Sequence, residues 1–394
     1  MTAQRGPYWL TQAGCRVEEF AALIAQRTQA ADVPLAAEVR GNVPVYDGHA
    51  LRALAQSPAG RQAVMAEWGE VLLHGAGLVV LSGAFSGDAE LAAVDAASAH
   101  FKALIVEQHA GPGTRGDHFA KPGANDRIWN ALEKLCLRDP AAFAVYYANP
   151  LIALISEAWL GPAYQITSQV NVVNPGGAAQ SPHRDYHLGF QTAEVAARYP
   201  AHVHRLSPVL TLQGAVAHND MPLESGPTLY LPYSQRYEPG YLAWQLPEFA
   251  ACFEQHHVQL PLQKGDAVFF NPALFHAAGH NRTSDVFRMA NLLQVSSAYG
   301  RVMETVDRTR MSQALFPALA AARAEGRLND AACANAVAAC AEGYAFPTNL
   351  DRDPPIGGLA PPSQQDLMAQ ALREGWRQAD FDAALRAQAA RRES

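Results

Sequence analysis

The chain has 394 residues, 49% of them hydrophobic, and a formal net charge of −7. That length and composition allow a sizeable buried core, while the acidic balance and the scattered Lys and Arg residues argue against nucleic acid as a partner. The sequence lacks the run of about 18 apolar residues that a membrane span needs. Five widely spaced cysteines and an N-terminus without the apolar stretch of a signal peptide predict a cytoplasmic protein with reduced thiols.

Apolar residues at helical spacing dominate the first third of the chain. The predicted helices cover residues 17–27, residues 88–107, a stretch that begins at Asn125, and residues 140–160 with a break at Asn149-Pro150. The period changes at residues 165–173, where apolar and polar residues alternate and β-branched residues are common. This stretch predicts a strand, which the turn residues after it bring to an end.

Short strands separated by turns follow in the second half of the chain. They are predicted at residues 183–188, 208–218, 226–232, 257–263, 266–275 and 287–297. Several short strands of this kind are typical of a sandwich or barrel, and we predict a mainly β core of the double-stranded β-helix (jelly-roll) type within an α+β protein. Helical patterns return after Arg301, at residues 330–342 and 363–391.

This order of patterns predicts one catalytic domain with helical additions at both ends. Residues 1–69 form the expected N-terminal helical extension, residues 70–300 the jelly-roll domain with inserted helices, and residues 301–394 the C-terminal helical extension. The helical ends could pack on the core or on a second subunit, so a homo-oligomer is an open alternative to a monomer.

A His-x-Asp pair, His183 and Asp185, stands on the predicted strand 183–188. Residues two apart on a strand share a face, so both side chains can reach one metal ion. His276 follows the apolar predicted strand 266–275 directly. Two imidazoles and one carboxylate with open positions opposite them suit a non-haem Fe(II) that activates dioxygen. The same donors also suit Zn or Mn, so a hydrolase, an isomerase or a metal-dependent binding module is the alternative.

Two nearby histidines compete with these ligands. His280 follows Gly279 in a turn, whereas the backbone of His276 adjoins a strand, and a preorganised site needs rigidly held ligands. We therefore predict His276 as the ligand and place His280 at the rim of the pocket. His187 would continue the alternation after Asp185, and we expect it to line the pocket.

Arg288 enters the predicted strand 287–297 on an otherwise apolar face. A buried guanidinium needs an anionic partner, and a dicarboxylate co-substrate such as 2-oxoglutarate would bind it bidentately. Arg282 lies in a polar turn, where an exposed Arg needs no such explanation. Gln169 and Asn171 alternate on the predicted strand 165–173 and could hydrogen-bond the carboxylate nearer the metal. The polar face of an edge strand is the alternative for these two residues.

The order of these motifs resembles the phytanoyl-CoA dioxygenase family of Fe(II)/2-oxoglutarate oxygenases, over roughly residues 70–298. The segments that carry the resemblance are the opening strand 77–85, the His183–Asp185 pair, residues 224–234, Gly265-Asp266 with Phe269-Phe270, His276, the turn 279–281 and Arg288. The chain has one residue more between His276 and Arg288 than is usual in the family, which predicts a longer hairpin.

The resemblance implies an Fe(II) ion on His183, Asp185 and His276, with 2-oxoglutarate on Arg288 and dioxygen as the second co-substrate. The implied reaction hydroxylates an unactivated C–H bond of a small-molecule metabolite and releases succinate and carbon dioxide. Related halogenases lack the carboxylate ligand, so Asp185 favours hydroxylation. The identity of the substrate stays open.

Overall fold

The computed structural model describes residues 8–111 and 123–393. Within these residues the chain forms eleven strands: β1 (Glu38–Arg40), β2 (Val43–Asp47), β3 (Leu78–Ser82), β4 (Asn125–Ile128), β5 (Gln165–Val173), β6 (Thr211–Ala217), β7 (Leu229–Tyr230), β8 (Val258–Gln259), β9 (Ala267–Phe270), β10 (His276–Ala277) and β11 (Arg288–Ser296).

The same residues form fifteen α-helices. They are α1 (Val17–Ile24), α2 (Gly48–Leu54), α3 (Pro58–Leu73), α4 (Gly87–Ala110), α5 (Ala131–Arg138), α6 (Pro140–Tyr147), α7 (Pro150–Leu160), α8 (Ala193–Ala196), α9 (Ala201–Leu206), α10 (Gly240–Ala243), α11 (Pro247–His256), α12 (Arg308–Ala324), α13 (Asp330–Cys340), α14 (Gln364–Glu374) and α15 (Gln378–Arg392).

The strands form two sheets. The larger has eight strands in the order β1-β2-β3-β9-β6-β11-β5-β4, and the smaller has three in the order β10-β7-β8. In the large sheet β9 pairs antiparallel with both β3 and β6, whereas β2 pairs parallel with β3. In the small sheet β7 pairs antiparallel with both neighbours. These sheets, together with the helices, confirm the predicted mixed α+β class.

The chain divides into two compact units, each built from separate segments. The described residues of the first unit are 8–84, 123–127 and 171–292, and those of the second are 85–111, 128–170 and 293–393. The second unit is rich in helices: α12 packs against α5, α6 and α13, and α6 packs against α4. The predicted division at residues 69/70 and 300/301 stays a prediction, since units of dense contact need not coincide with the limits of a functional domain.

Several predicted elements agree with the structure. The strand at 165–173 coincides with β5, and residues 140–160 form α6 and α7 with the expected break. Asn149 makes that break because its Oδ1 accepts hydrogen bonds from the N–H groups of Leu151 and Ile152, which caps α7. No single helix in the described ranges is long and apolar enough to span a membrane; α6 and α7 reach that length only as a pair, with a bend of 62°.

Other predicted elements were wrong. The extension at residues 1–69 is not purely helical, because β1 and β2 lie within it and add two strands to the large sheet. The helix predicted from Asn125 is instead β4 followed by α5, and residues 363–391 form two helices because Gly375 adopts a left-handed conformation with φ of +67°. These breaks depend on backbone conformations that apolar periodicity does not reveal.

Asp266 ties the start of β9 to the end of β3. Its side chain is buried, and the carboxylate accepts hydrogen bonds from the backbone N–H of Gly83 at 2.7 Å and of Gln263 at 2.8 Å. The preceding residue, Gly265, has φ of +92°, a conformation that favours glycine. The Gly-Asp pair therefore fixes the turn that leads into β9, the strand before His276.

We expect Asp266→Ala to lower the free energy of unfolding by about 1–3 kcal/mol, because the backbone N–H groups of Gly83 and Gln263 lose hydrogen bonds to a buried carboxylate. Equilibrium unfolding in urea measures this change. Asp266→Asn keeps one acceptor oxygen and should lose less. An Asp266→Ala midpoint equal to that of the wild type would contradict the assigned role.

Candidate metal centre

Three potential metal ligands meet in the first unit. The ligand atoms of His183, Asp185 and His276 all lie within 4.8 Å of one another. His183 Nε2 is 3.8 Å from Asp185 Oδ1, and His276 Nε2 is 3.4 Å from Asp185 Oδ2. Among the residues that the structure describes, no other group of His, Cys, Asp or Glu side chains has this geometry. Two imidazoles and a carboxylate so arranged can bind one divalent ion.

Backbone pairing brings the two histidines together. His183 N–H donates to His276 O at 3.0 Å, and His276 N–H donates to His183 O at 3.1 Å, which forms an isolated antiparallel bridge. His276 also pairs with Tyr230 of β7, and Asp185 N–H donates to Pro272 O at 3.1 Å. The backbones of all three candidate ligands are therefore fixed by hydrogen bonds.

Each imidazole is also held at its second ring nitrogen. His183 Nδ1 lies 2.9 Å from Ser181 O, and His276 Nδ1 lies 2.9 Å from Leu274 O. A carbonyl oxygen only accepts, so Nδ1 carries the proton and donates in both rings. This tautomer leaves each Nε2 lone pair free toward Asp185, as a metal ligand requires.

The charge states of this cluster also suit a cation. Burial, followed by the neighbouring His276, lowers the pKa of His183, which favours the neutral imidazole. Burial acts to raise the pKa of Asp185, but the two imidazoles and a hydrogen bond from Gln213 outweigh it and hold that pKa well below its ordinary value. A neutral histidine beside an ionised carboxylate is the form that binds metal.

The strand predicted at residues 183–188 is largely absent. Only His183 is bridged, and Tyr186 has φ of +42°, which turns the chain into a 3₁₀ helix at His187–Phe190. His187 Nε2 lies 3.3 Å from Thr211 Oγ1, and burial lowers its pKa. His187 therefore does not continue an alternation after Asp185, and its place in the pocket wall stays a prediction.

Arg184, between the two ligands, points into the core of the first unit. It is 2% exposed, and its guanidinium donates to Ser234 O at 2.6 Å and to Tyr237 O at 2.9 Å. Gly240 gives it room, since a Cβ there would lie 1.9 Å from the guanidinium carbon. His183 and Asp185 thus form one side of this segment, while Arg184 anchors the other.

The strand predicted before His276 was too long. β9 ends at Phe270, and Asn271 Oδ1 accepts from Ala273 N–H in a turn that leads to His276 in β10. Ser234, from the segment 224–234, accepts a hydrogen bond from Phe275 N–H through its Oγ at 2.8 Å. His280 is exposed and lies outside the ligand cluster.

Arg288 is buried without a carboxylate partner. It is 6% exposed, burial lowers its pKa to about 10, and it donates to the carbonyl oxygen of Gly226. No carboxylate in the described part of the chain forms an ion pair with it. Ala290 and Leu292, which share its face of β11, are only half-buried, whereas Met289 and Asn291 on the other face are buried. Arg288 therefore lies on the more open face of the strand.

The segment before Arg288 is not the predicted longer hairpin, because β10 and β11 lie in different sheets; Asn281 organises the connection between them. This residue is fully buried, and its Nδ2 lies within hydrogen-bond distance of the carbonyl oxygens of Val173, Asn174 and Val286. One side chain thus ties the end of β5 to the residues just before β11, and the turn 279–281 positions Arg288.

The two remaining predicted residues lie on β5. Asn171 is 8% exposed, and its Oδ1 accepts a hydrogen bond from Asn125 Nδ2 at 2.9 Å. Gln169 is 1% exposed, two residues earlier on the same strand. Their burial argues against a solvated edge, and their contact with a co-substrate stays a prediction.

Sequence reasoning missed Gln213. It lies on β6, is 4% exposed, and its Nε2 donates to Asp185 Oδ2 at 2.6 Å. A lone amide within the apolar strand Thr211–Ala217 was the available signal, because a buried polar side chain needs a partner. The sequence does not say which partner.

No protein of curated function matches the chain. A solved structure of the non-haem α-ketoglutarate-dependent epimerase SnoN from nogalamycin biosynthesis is 21% identical, covers 61% of this chain and 84% of its own, and has a TM-score of 0.40. The carbocyclase SnoK from the same biosynthesis is 19% identical, with coverages of 64% and 87% and a TM-score of 0.41. TM-scores this low carry no argument about activity.

The family model of phytanoyl-CoA dioxygenase matches residues 73–290. This range includes the His183–Asp185 pair, His276 and Arg288, and it confirms the resemblance drawn from the motifs. Because the match covers more than half of the sequence, the chain belongs to the phytanoyl-CoA dioxygenase family, whose metal cofactor and co-substrate are iron and 2-oxoglutarate.

Proposed function

We propose that this protein is a 2-oxoglutarate-dependent dioxygenase that hydroxylates an unactivated C–H bond of a small-molecule metabolite. The observation that carries the proposal is Arg288, buried on the open face of β11 without a carboxylate partner among the described residues. Iron with 2-oxoglutarate and dioxygen supplies an oxidant strong enough for such a bond, and the reaction yields succinate and carbon dioxide.

His183, Asp185 and His276 are the side chains that would hold the iron. Their donor set suits Fe(II), and three protein ligands leave positions for co-substrate and dioxygen. The fit is supported by the convergence of the ligand atoms within 4.8 Å and by the two Nδ1–H donors that turn each Nε2 inward. The backbone bridge keeps the imidazoles in place before any ligand arrives.

Arg288 would bind the carboxylate of 2-oxoglutarate that is far from the metal. A guanidinium offers paired donors that match a carboxylate, and burial strengthens their attraction. Tyr230, buried beside Arg288 and paired with His276 across the small sheet, would line the space between them. Gln169 and Asn171 are proposed to contact the carboxylate nearer the metal.

A Zn or Mn hydrolase on the same three ligands is the alternative. A hydrolase of this kind would leave the buried Arg288 without an anion to neutralise its charge, and burying an unpaired charge is costly. We also infer that the two sheets are the halves of a double-stranded β-helix and that the protein works in the cytoplasm. Family membership and the antiparallel strand pairs of the first unit support the first of these inferences.

Replacing any candidate ligand with alanine should weaken metal binding strongly. We expect His183→Ala, Asp185→Ala and His276→Ala each to weaken Mn(II) binding by more than the roughly 10- to 100-fold typical of losing an outer-shell partner. Isothermal titration of the metal-free proteins with Mn(II), a redox-stable substitute for Fe(II), measures the change.

His280→Ala is the matched control for that series. It removes an exposed histidine four residues after His276 and should bind Mn(II) like the wild type. Equal affinity in wild type and His276→Ala, or a loss in His280→Ala alone, would reassign the distal ligand.

The fate of molecular oxygen tests hydroxylation itself. A panel of acyl-CoA esters, amino-acid derivatives and other small metabolites is screened for substrate-dependent formation of succinate from 2-oxoglutarate. Any substrate found is then converted under ¹⁸O₂, and the masses of succinate and of the converted substrate are measured by mass spectrometry. Hydroxylation places one labelled atom in succinate and one in the product. Labelled succinate with an unlabelled, rearranged product would show a different reaction of the same cofactors.

A further inference from the structure

We propose that Gln213 is a positioning residue that holds the Asp185 carboxylate in the orientation required for metal binding. The inference rests on the proposed function, because it assigns Asp185 as a metal ligand. It concerns a residue of β6, away in sequence from every motif that defines the candidate centre. The contact that carries it is the 2.6 Å hydrogen bond from Gln213 Nε2 to Asp185 Oδ2.

The chemistry of the pair fixes which end of the amide faces the carboxylate. An ionised carboxylate only accepts hydrogen bonds, so the NH₂ group of Gln213 must point toward Asp185. A carboxylate is ionised when it binds a metal ion. A bond from a neutral donor to a charged acceptor is stronger than one between neutral groups.

The strand makes this donor rigid. Gln213 sits within β6 opposite Phe270 of β9, so backbone hydrogen bonds on the large sheet fix its Cα. The Phe270 ring in turn packs against the ring of His276 with 4.8 Å between centroids. Asp185 itself lies outside any regular strand, and its carboxylate oxygens contact Gln213 and the two imidazoles. The amide is therefore held in place by the sheet, and its hydrogen bond orients the Asp185 carboxylate.

The hydrogen bonding of the Gln213 side chain is directed at Asp185. Its Nε2 donates to Asp185 Oδ2, and its Oε1 is buried and has no hydrogen-bond partner among the described residues.

The test compares two buried glutamines of the first unit. Gln235 is 8% exposed, its Nε2 donates to Gly75 O at 2.9 Å, and its Oε1 likewise has no partner within the described ranges. It contacts none of the three candidate ligands. Gln213→Met and Gln235→Met therefore remove the same amide from a similar environment, and they differ in whether a metal ligand loses its donor.

The measurements are the Mn(II) dissociation constant by isothermal titration and the thermal unfolding midpoint without metal. We expect Gln213→Met to bind Mn(II) roughly 10- to 100-fold more weakly than the wild type, as loss of an outer-shell partner typically does. Gln235→Met should bind Mn(II) with wild-type affinity. A purely structural Gln213 would lower the unfolding midpoint without changing the affinity.

A folded Gln213→Met protein with Mn(II) affinity within about twofold of the wild type would overturn the proposal. If Gln213→Met does not fold, Gln213→Asn, which withdraws the donor by one methylene, is measured with the same two expected outcomes. Failure of the wild type itself to bind Mn(II) would contradict the proposed function rather than the role of Gln213.

Discussion

The reciprocal hydrogen bonds between the backbones of His183 and His276 are the contact on which the candidate centre depends. These residues are far apart in the sequence, and the bridge places their rings 4.5 Å apart between centroids. Asp185 is held close to both rings because its own N–H donates a hydrogen bond to Pro272 O, in the turn before His276. Arg184 anchors this segment from the other side. A metal site assembled on backbone pairing needs little reorganisation when the ion binds.

The proposed role of Arg288 extends this arrangement from metal binding to a specific co-substrate. Burying a guanidinium without an anion is unfavourable, and proteins retain such a group where a ligand completes it. The carbonyl oxygen of Gly226 accepts one of its hydrogen bonds, and Asn281 holds the connection between β10 and β11 that leads to Arg288. Family membership implies 2-oxoglutarate, and a buried Arg288 without a carboxylate partner among the described residues is consistent with the proposal that it binds this co-substrate.

The sequence predicted the residues of the site better than the structure around them. His183, Asp185 and His276 come together, yet the strands expected to carry them are shorter or absent, because Tyr186 and Asn271 make turns that alternation does not reveal. Gln213 and Arg184 were not predicted, since their roles depend on pairings between distant segments. Strands β1 and β2 were not predicted, because segments of three to five residues are too short to show a periodic pattern of apolar residues.

The measurement that tests the account most directly is the visible spectrum of the Fe(II)-loaded protein, titrated with 2-oxoglutarate without oxygen. The account predicts a weak metal-to-ligand charge-transfer band in the wild type and in Arg282→Ala, which loses an exposed arginine of the connection between β10 and β11. Arg288→Ala should need roughly 10- to 100-fold more 2-oxoglutarate to reach the same band, since a hydrogen bond to a charged group is worth about 1.5–3 kcal/mol. A folded wild-type protein that shows no band at saturating iron and 2-oxoglutarate would contradict it.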